Sequence, residues 1–304
     1  MKNLVAPLAF SLLSALFFSW GCASTNTYHR SALTPVPQAA LHGSGYFRGR
    51  SQISLGSAVV SSVKPREGIS QTETNPDGET VSFSDGAANW IPRTQANLLY
   101  RHKFGQYFAM GLLGELALNP GAVKTYKDTV NLRPRGNAYG MGLTFQFLLP
   151  IHSHAHLGIG TDLLIYNVPY AKMATESTSP SSANLWEPEY GTEVVGVGSF
   201  YIIPTYIFPW GTVFGGLTIR NHPSAPKVQT ETSVLDQSNV DEGKAYYVLS
   251  MGAQINLSHN LAVQIMIYQP ITNSPVVYYP MGAFGLVWDI DAPRQAGSAL
   301  DTML

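Results

Sequence analysis

Between Asn137 and Leu148 the sequence NAYGMGLTFQFL alternates with a period of two. Tyr139, Met141, Leu143, Phe145 and Phe147 fall on one face, and Ala138, Gly140, Gly142, Thr144 and Gln146 on the other. That period belongs to a β-strand, whose successive side chains point to opposite sides. One face is bulky and apolar, the other small or weakly polar, and neither carries a Lys, Arg, Asp or Glu. Lipid on one side and a crowded barrel interior on the other require such a strand.

The same alternation recurs. Strands are predicted over 45–59, 90–102, 106–118, 137–148, 154–166, 189–206, 212–220, 244–257, 260–268 and 276–290. In the third, Phe108, Met110, Leu112 and Leu116 oppose Ala109, Gly111, Leu113 and Glu115; in the eighth, Tyr247, Leu249 and Met251 oppose Val248, Ser250 and Gly252. Residues 200–203 are apolar on both faces and leave the lower part of the sixth strand unassigned. Links after the second, fourth, sixth and eighth strands are short. Those after the first, third, fifth and seventh (61–88, 119–136, 167–188 and 221–243) are long and polar. An up-and-down transmembrane barrel has this asymmetry, with short periplasmic turns and longer outside loops. The expected fold is therefore all-β, an antiparallel up-and-down transmembrane β-barrel of about ten strands over 44–290, the first closing on the last because open edges cannot lie in hydrocarbon. An even strand number puts both ends of the chain on the periplasmic side, where a periplasm-facing lipid anchor could reach.

Composition agrees. Charged residues are 12% of the chain, about half the roughly 25% of soluble domains. The net charge of −1 suggests no nucleic-acid partner. After the N-terminus no run of about 18 apolar residues occurs, which argues against a helical membrane bundle. Residues 1–22 read as an export signal, with Lys2 ahead of an apolar stretch and Gly21-Cys22 at its end. Cys22 is the sole cysteine, so no intramolecular disulfide can form. Its setting resembles the lipobox of bacterial lipoproteins, which implies lipid attachment (palmitate among the acyl groups) at Cys22. Cleavage after Ala23, which would discard the cysteine, is the other reading. Residues 23–43 read as a flexible Ser/Thr/Pro-rich leader and 291–304 as a C-terminal tail.

On this alternation, the loop asymmetry and the export signal, the chain resembles bacterial outer-membrane β-barrel proteins. Phe284, Leu286 and Trp288, spaced by two near the end of the last strand, resemble the signal read by barrel-assembly machinery. The resemblance implies the bacterial outer membrane as location, with outer-membrane lipid and that machinery as partners. The soluble alternative is a periplasmic lipocalin-like binding protein with the bulky face inward. Its outer surface would then be Gly, Ala, Thr and Gln with almost no charge, unlike soluble surfaces.

Arg48, Arg50 and Arg101 fall on the small face near the expected periplasmic end, and Glu115, Asp162 and Arg220 fall on it elsewhere. Two readings stand: a charged constriction selecting solutes, or internal ion pairs filling a narrow barrel. His152, His154 and His156 alternate at a short turn. Imidazoles on one strand face suit Zn or Cu, but no carboxylate or cysteine lies nearby in sequence, and a solvated turn is the simpler reading. The omptin proteases are similar in size and strand count, with acidic and His residues at the outer rim. Here the only Asp-x-Asp, Asp289-Ile290-Asp291, falls at the opposite end and Asp-x-His is absent. The expectation is thus no enzyme, no metal and no cofactor. Trp90, Trp186, Trp210 and Trp288 read as interfacial anchors. The expected role is passage of a small or hydrophobic solute through the barrel. The alternative is a non-conducting structural or surface-interaction barrel.

Overall fold

The computed structural model describes residues 25–33, 35, 38, 45–60, 63–64, 70–74, 80–84, 88–121, 123–124, 133–179, 182–185, 188–221, 245–271 and 277–291. Ten of its strands form the wall of a closed antiparallel barrel. In chain order they are β1 (Ser51–Val59), β2 (Thr94–Lys103), β3 (Phe108–Ala117), β4 (Ala138–His152), β5 (Ala155–Ser179), β6 (Glu189–Phe208), β7 (Gly211–Asn221), β8 (Ala245–Asn256), β9 (Leu261–Ile271) and β10 (Met281–Ile290). Each pairs with its neighbours in sequence, and β10 closes on β1 from Gly282↔Val59 to Ile290↔Ser51. With no free edge, the backbone polar groups of the wall are satisfied within it, as hydrocarbon requires.

The alternation sets which way each face points. On β4 and β5, Met141 is 66% exposed and Ile165 63%, while Thr144, Gln146 and Leu164 point inward and are buried. The bulky face is therefore the outer one on every wall strand that shows it, as with Leu112, Met251, Ile267 and Phe284. The lipocalin-like reading needed that face inside and is excluded by it. The segment 200–203 resolves the same way, since Tyr201 and Ile203 are buried inward and Phe200 faces out.

Four expectations are corrected. The first strand begins at Ser51, not residue 45. The second begins at Thr94, because Ala88–Ile91 is a separate short strand. The expected loop 167–188 is largely strand: β5 continues to Ser179, and Ser182–Leu185 turns back along it. The expected flexible leader contains a strand, Thr25–Leu33. That strand runs antiparallel to the upper half of β5, from Thr25↔Ser177 to Ala32↔Tyr170, where β4 has already ended. On its other side it pairs in parallel with Thr80–Ser84 and Ala88–Ile91. A small sheet therefore extends the wall at the long-loop end. These polar segments carry no lipid-facing stripe, so composition alone could not tell them from loop.

Thr25–Leu33 also corrects the expectation for the N-terminal side. β1 starts at the short-turn end, but Thr25–Leu33 lies at the other end. Leu33 packs with Trp90, Ala117 and Ala138 at the long-loop rim. Of the described residues between, Pro35, Gln38, Gly45, Phe47 and Gly49 are buried. Gln38 is hydrogen-bonded to inward-facing Gln95, near the top of β2. Gly45, near the short turns, donates its N–H to Thr205 Oγ1 at 2.7 Å. At Gly45 a Cβ would meet the carbonyl oxygen of Ile203 at 2.6 Å and the nitrogen of Gly158 at 2.7 Å. Phe47 packs on Ala109 and Leu148.

Candidate functional site

The lumen is built from the small faces of the strands, and its polar groups lie in layers. Nearest the short turns, Arg101 on β2 is 1% exposed. Its Nε and Nη2 donate to Gln52 Oε1 at 3.0 and 2.6 Å, and its Nη1 donates to Gln146 Oε1 at 2.6 Å. Gln52 Nε2 in turn donates to Asp289 Oδ1 at 2.7 Å. The Arg101 guanidinium stands 4.5 Å from the centroid of the Phe47 ring, and Lys103 Nζ stands 4.3 Å from it while donating to the Phe47 carbonyl oxygen. Two cations thus hold one aromatic ring of the incoming N-terminal segment.

In the middle layer, Ser199 Oγ donates to Asp162 Oδ2 at 2.8 Å, and the Thr144 and Tyr201 hydroxyls lie 3.3 Å apart. Toward the long loops, Arg220 Nη1 and Nη2 donate to Glu115 Oε1 and Oε2 at 3.0 and 2.8 Å, with a further bond from Nη2 to Tyr166 Oη at 3.0 Å. This bidentate pair is buried on both sides, the geometry in which a charge-assisted bond is strongest. A void bordered by Ser54, Asn97 and Gln264 measures about 20 Å³, room for about one water.

Of the residues singled out from sequence, the fold brings Glu115 and Arg220 together and buries Arg101 and Asp162 in separate layers. Arg48 is half-buried and Arg50 exposed, both ahead of β1 rather than on its inner face. Cys22 and Trp186 lie outside the described side chains. His152 and His154 are exposed at the turn joining β4 to β5, their rings 6.0 Å apart, while His156 packs against the Tyr46 ring at 4.6 Å. Among the described residues no three His, Cys, Asp or Glu converge on a metal-sized site. Trp210 and Trp288 are exposed as interfacial anchors would be; Trp90 is instead buried beside Leu33.

Sequence reasoning gave no site role to Gln52, Gln146 and Asp289, and it missed the fully buried Tyr166, Tyr201 and Tyr268. Parity would have found two of the tyrosines. Tyr166 shares the face of Gly160 and Asp162, and Tyr268 that of Gln264 and Met266. Tyrosines near strand ends also suit interfacial anchoring, which hid them. Phe47 could not be found this way, because it belongs to no strand.

A second feature lies outside the lumen, at the long-loop rim. A cleft of about 540 Å³ is lined by Asn119, Arg133, Arg135, Asn137 and Tyr190. Arg133 stands 5.3 Å from the Trp90 ring centroid, and its Nε donates to Asn119 Oδ1 at 3.2 Å; Arg135 stands 4.0 Å from the Tyr190 ring centroid. Ring-supported guanidinium groups suit carboxylate or phosphate oxygens.

No family model and no curated protein matches the chain. Similar solved structures are bacterial outer-membrane β-barrels. The outer membrane protease OmpT from Escherichia coli is 11% identical, with a TM-score of 0.36 over 80% of this chain and 94% of that one. LpxR from Salmonella typhimurium is 9% identical, with a TM-score of 0.38 over 79% and 100%. The translocator domain of the autotransporter NalP from Neisseria meningitidis is 8% identical, with a TM-score of 0.32 over 82% and 91%. The likeness is one of barrel architecture alone, and the closed antiparallel barrel of ten strands is given by this chain's own strand pairing. Because a protease is among these structures, the expectation that the chain is not an enzyme does not stand.

Proposed function

We propose that this chain is a closed outer-membrane barrel that anchors surface structure, not a solute channel. What supports the reading is the occupancy of the lumen. Gln38, Gly45 and Phe47 are buried inside the wall, and layers of paired polar side chains surround them. A channel for solutes needs a continuous water-filled path. Here buried charges meet one another and amide or hydroxyl groups, which is how ionised groups persist away from water. The long-loop end carries what such an anchor would present: the upper half of β5, the strand Thr25–Leu33 beside it, and the hairpin of Ser70–Thr74 with Thr80–Ser84.

Purified protein in liposomes tests this reading through osmotic swelling in small sugars. Swelling at the rate of protein-free liposomes is expected. Swelling that rises with the amount of folded barrel overturns the reading and restores solute transport.

A further inference from the structure

We infer that the chain passes once through its own barrel, so that Thr25 stands on the long-loop side while β1 starts on the short-turn side. The order of contacts along the sequence carries this. Thr25–Leu33 is hydrogen-bonded into the sheet above the rim and descends toward it, from Ser177 of β5 to Tyr170. Leu33 sits at the rim, beside Ala117 at the end of β3 and Ala138 at the start of β4. Gln38 engages Gln95 just inside. Gly45 reaches Thr205 and Gly158, close to the short turns. Arg50 leaves at the bottom, its N–H bonded to the Ile290 carbonyl oxygen at 3.1 Å. Each contact lies lower than the one before.

Length and closure exclude another route. The chain from Gln38 to Gly45 can reach about 25 Å when fully extended, close to the height of a barrel's lipid-facing band. That leaves nothing for a detour over the rim. The wall is hydrogen-bonded all the way round, so two points inside it, one near each end, belong to a strand of chain that crosses it.

The crossing is fitted to its surroundings. Gly45 and Gly158 approach so closely that a Cβ on Gly158 would stand 2.8 Å from the Cα of Gly45. Arg101 and Lys103 hold Phe47 below it. A lipid on Cys22, three residues before Thr25, would enter the outer leaflet, opposite to the side expected from the barrel strands alone.

Thiol labelling tests the topology in whole cells. In the full chain, Ser24→Cys places a thiol just before the N-terminal strand. Ser233→Cys marks a long loop and Ser258→Cys a short turn. A membrane-impermeant maleimide is added to intact and to permeabilised cells, and labelling is read only in the fast-migrating unboiled band, which reports folded barrel. Ser24→Cys should be labelled in intact cells as Ser233→Cys is, with Ser258→Cys labelled only after permeabilisation. Ser24→Cys behaving like Ser258→Cys overturns the inference. As a second measurement, Gln38→Cys with Gln95→Cys should form a disulfide in the folded barrel. No such link in folded protein also overturns it. Both readouts are independent of whether the barrel conducts.

Discussion

Glu115 and Arg220 are 105 residues apart in sequence and 2.8 Å apart in space. Removing one partner leaves the other charge buried without its counterion, which costs about 3–5 kcal/mol; replacing both with residues of similar volume costs far less. Glu115→Gln should therefore destabilise the barrel by that amount, and Glu115→Gln with Arg220→Met should recover most of the loss, measured by urea unfolding in lipid vesicles. Equal losses in the single and double variants would show that the pair does not act as one. Gly158→Val makes a different kind of change. It puts bulk where Gly45 crosses, and overpacking of this kind costs about 1–3 kcal/mol. The same unfolding assay should show the loss, with Gly196→Val, which has nothing within 4 Å of its Cβ position, close to wild type. Alternation by itself places Glu115, Asp162 and Arg220 on the inner face. It does not say which of them meet, because pairing across a barrel depends on shear and on layers that no local pattern carries. Arg48 and Arg50 show the limit most plainly. They continue the parity of Gln52 and Ser54, yet the strand starts after them.

Among the elements, those in lipid were legible and those above it were not. β3, β4 and β8 must each expose one apolar face and bury the other, so their phase is written into the sequence. Leu143→Lys, at the lipid face of β4, should cost about 2–4 kcal/mol near the bilayer midplane and reduce the fast-migrating unboiled band in the membrane fraction. Thr144→Ser, one residue on and facing inward, should assemble normally. Equal assembly of both would contradict the assignment of faces. Thr25–Leu33 and the upper half of β5 are held by backbone pairing on polar sequence, which carries no phase to read. Thr27 sits between Thr175 on one side and Ser82 on the other. A proline there removes a ladder donor in a strand flanked on both sides. Thr27→Pro should speed amide hydrogen exchange at 25–33 and 170–177 together, while leaving the lower half of β5 protected. Exchange unchanged at 170–177 would show that the two strands do not depend on each other.

At the scale of the whole molecule, one wall and one crossing segment account for the closed lumen. The wall follows from sequence, since ten alternating segments with short and long links in turn admit an up-and-down barrel and little else. The crossing does not, because 23–43 reads as a Ser/Thr/Pro-rich leader and 45–50 as the start of the first strand. Their role exists only once the barrel closes around them. The most direct test is planar-bilayer conductance of the full chain beside a variant lacking residues 25–44, each confirmed as folded by its unboiled band. A plugged barrel predicts no steady conductance from the full chain and open-channel steps from the truncated one. Steady conductance from the full chain, at the level of the truncated variant, would contradict it.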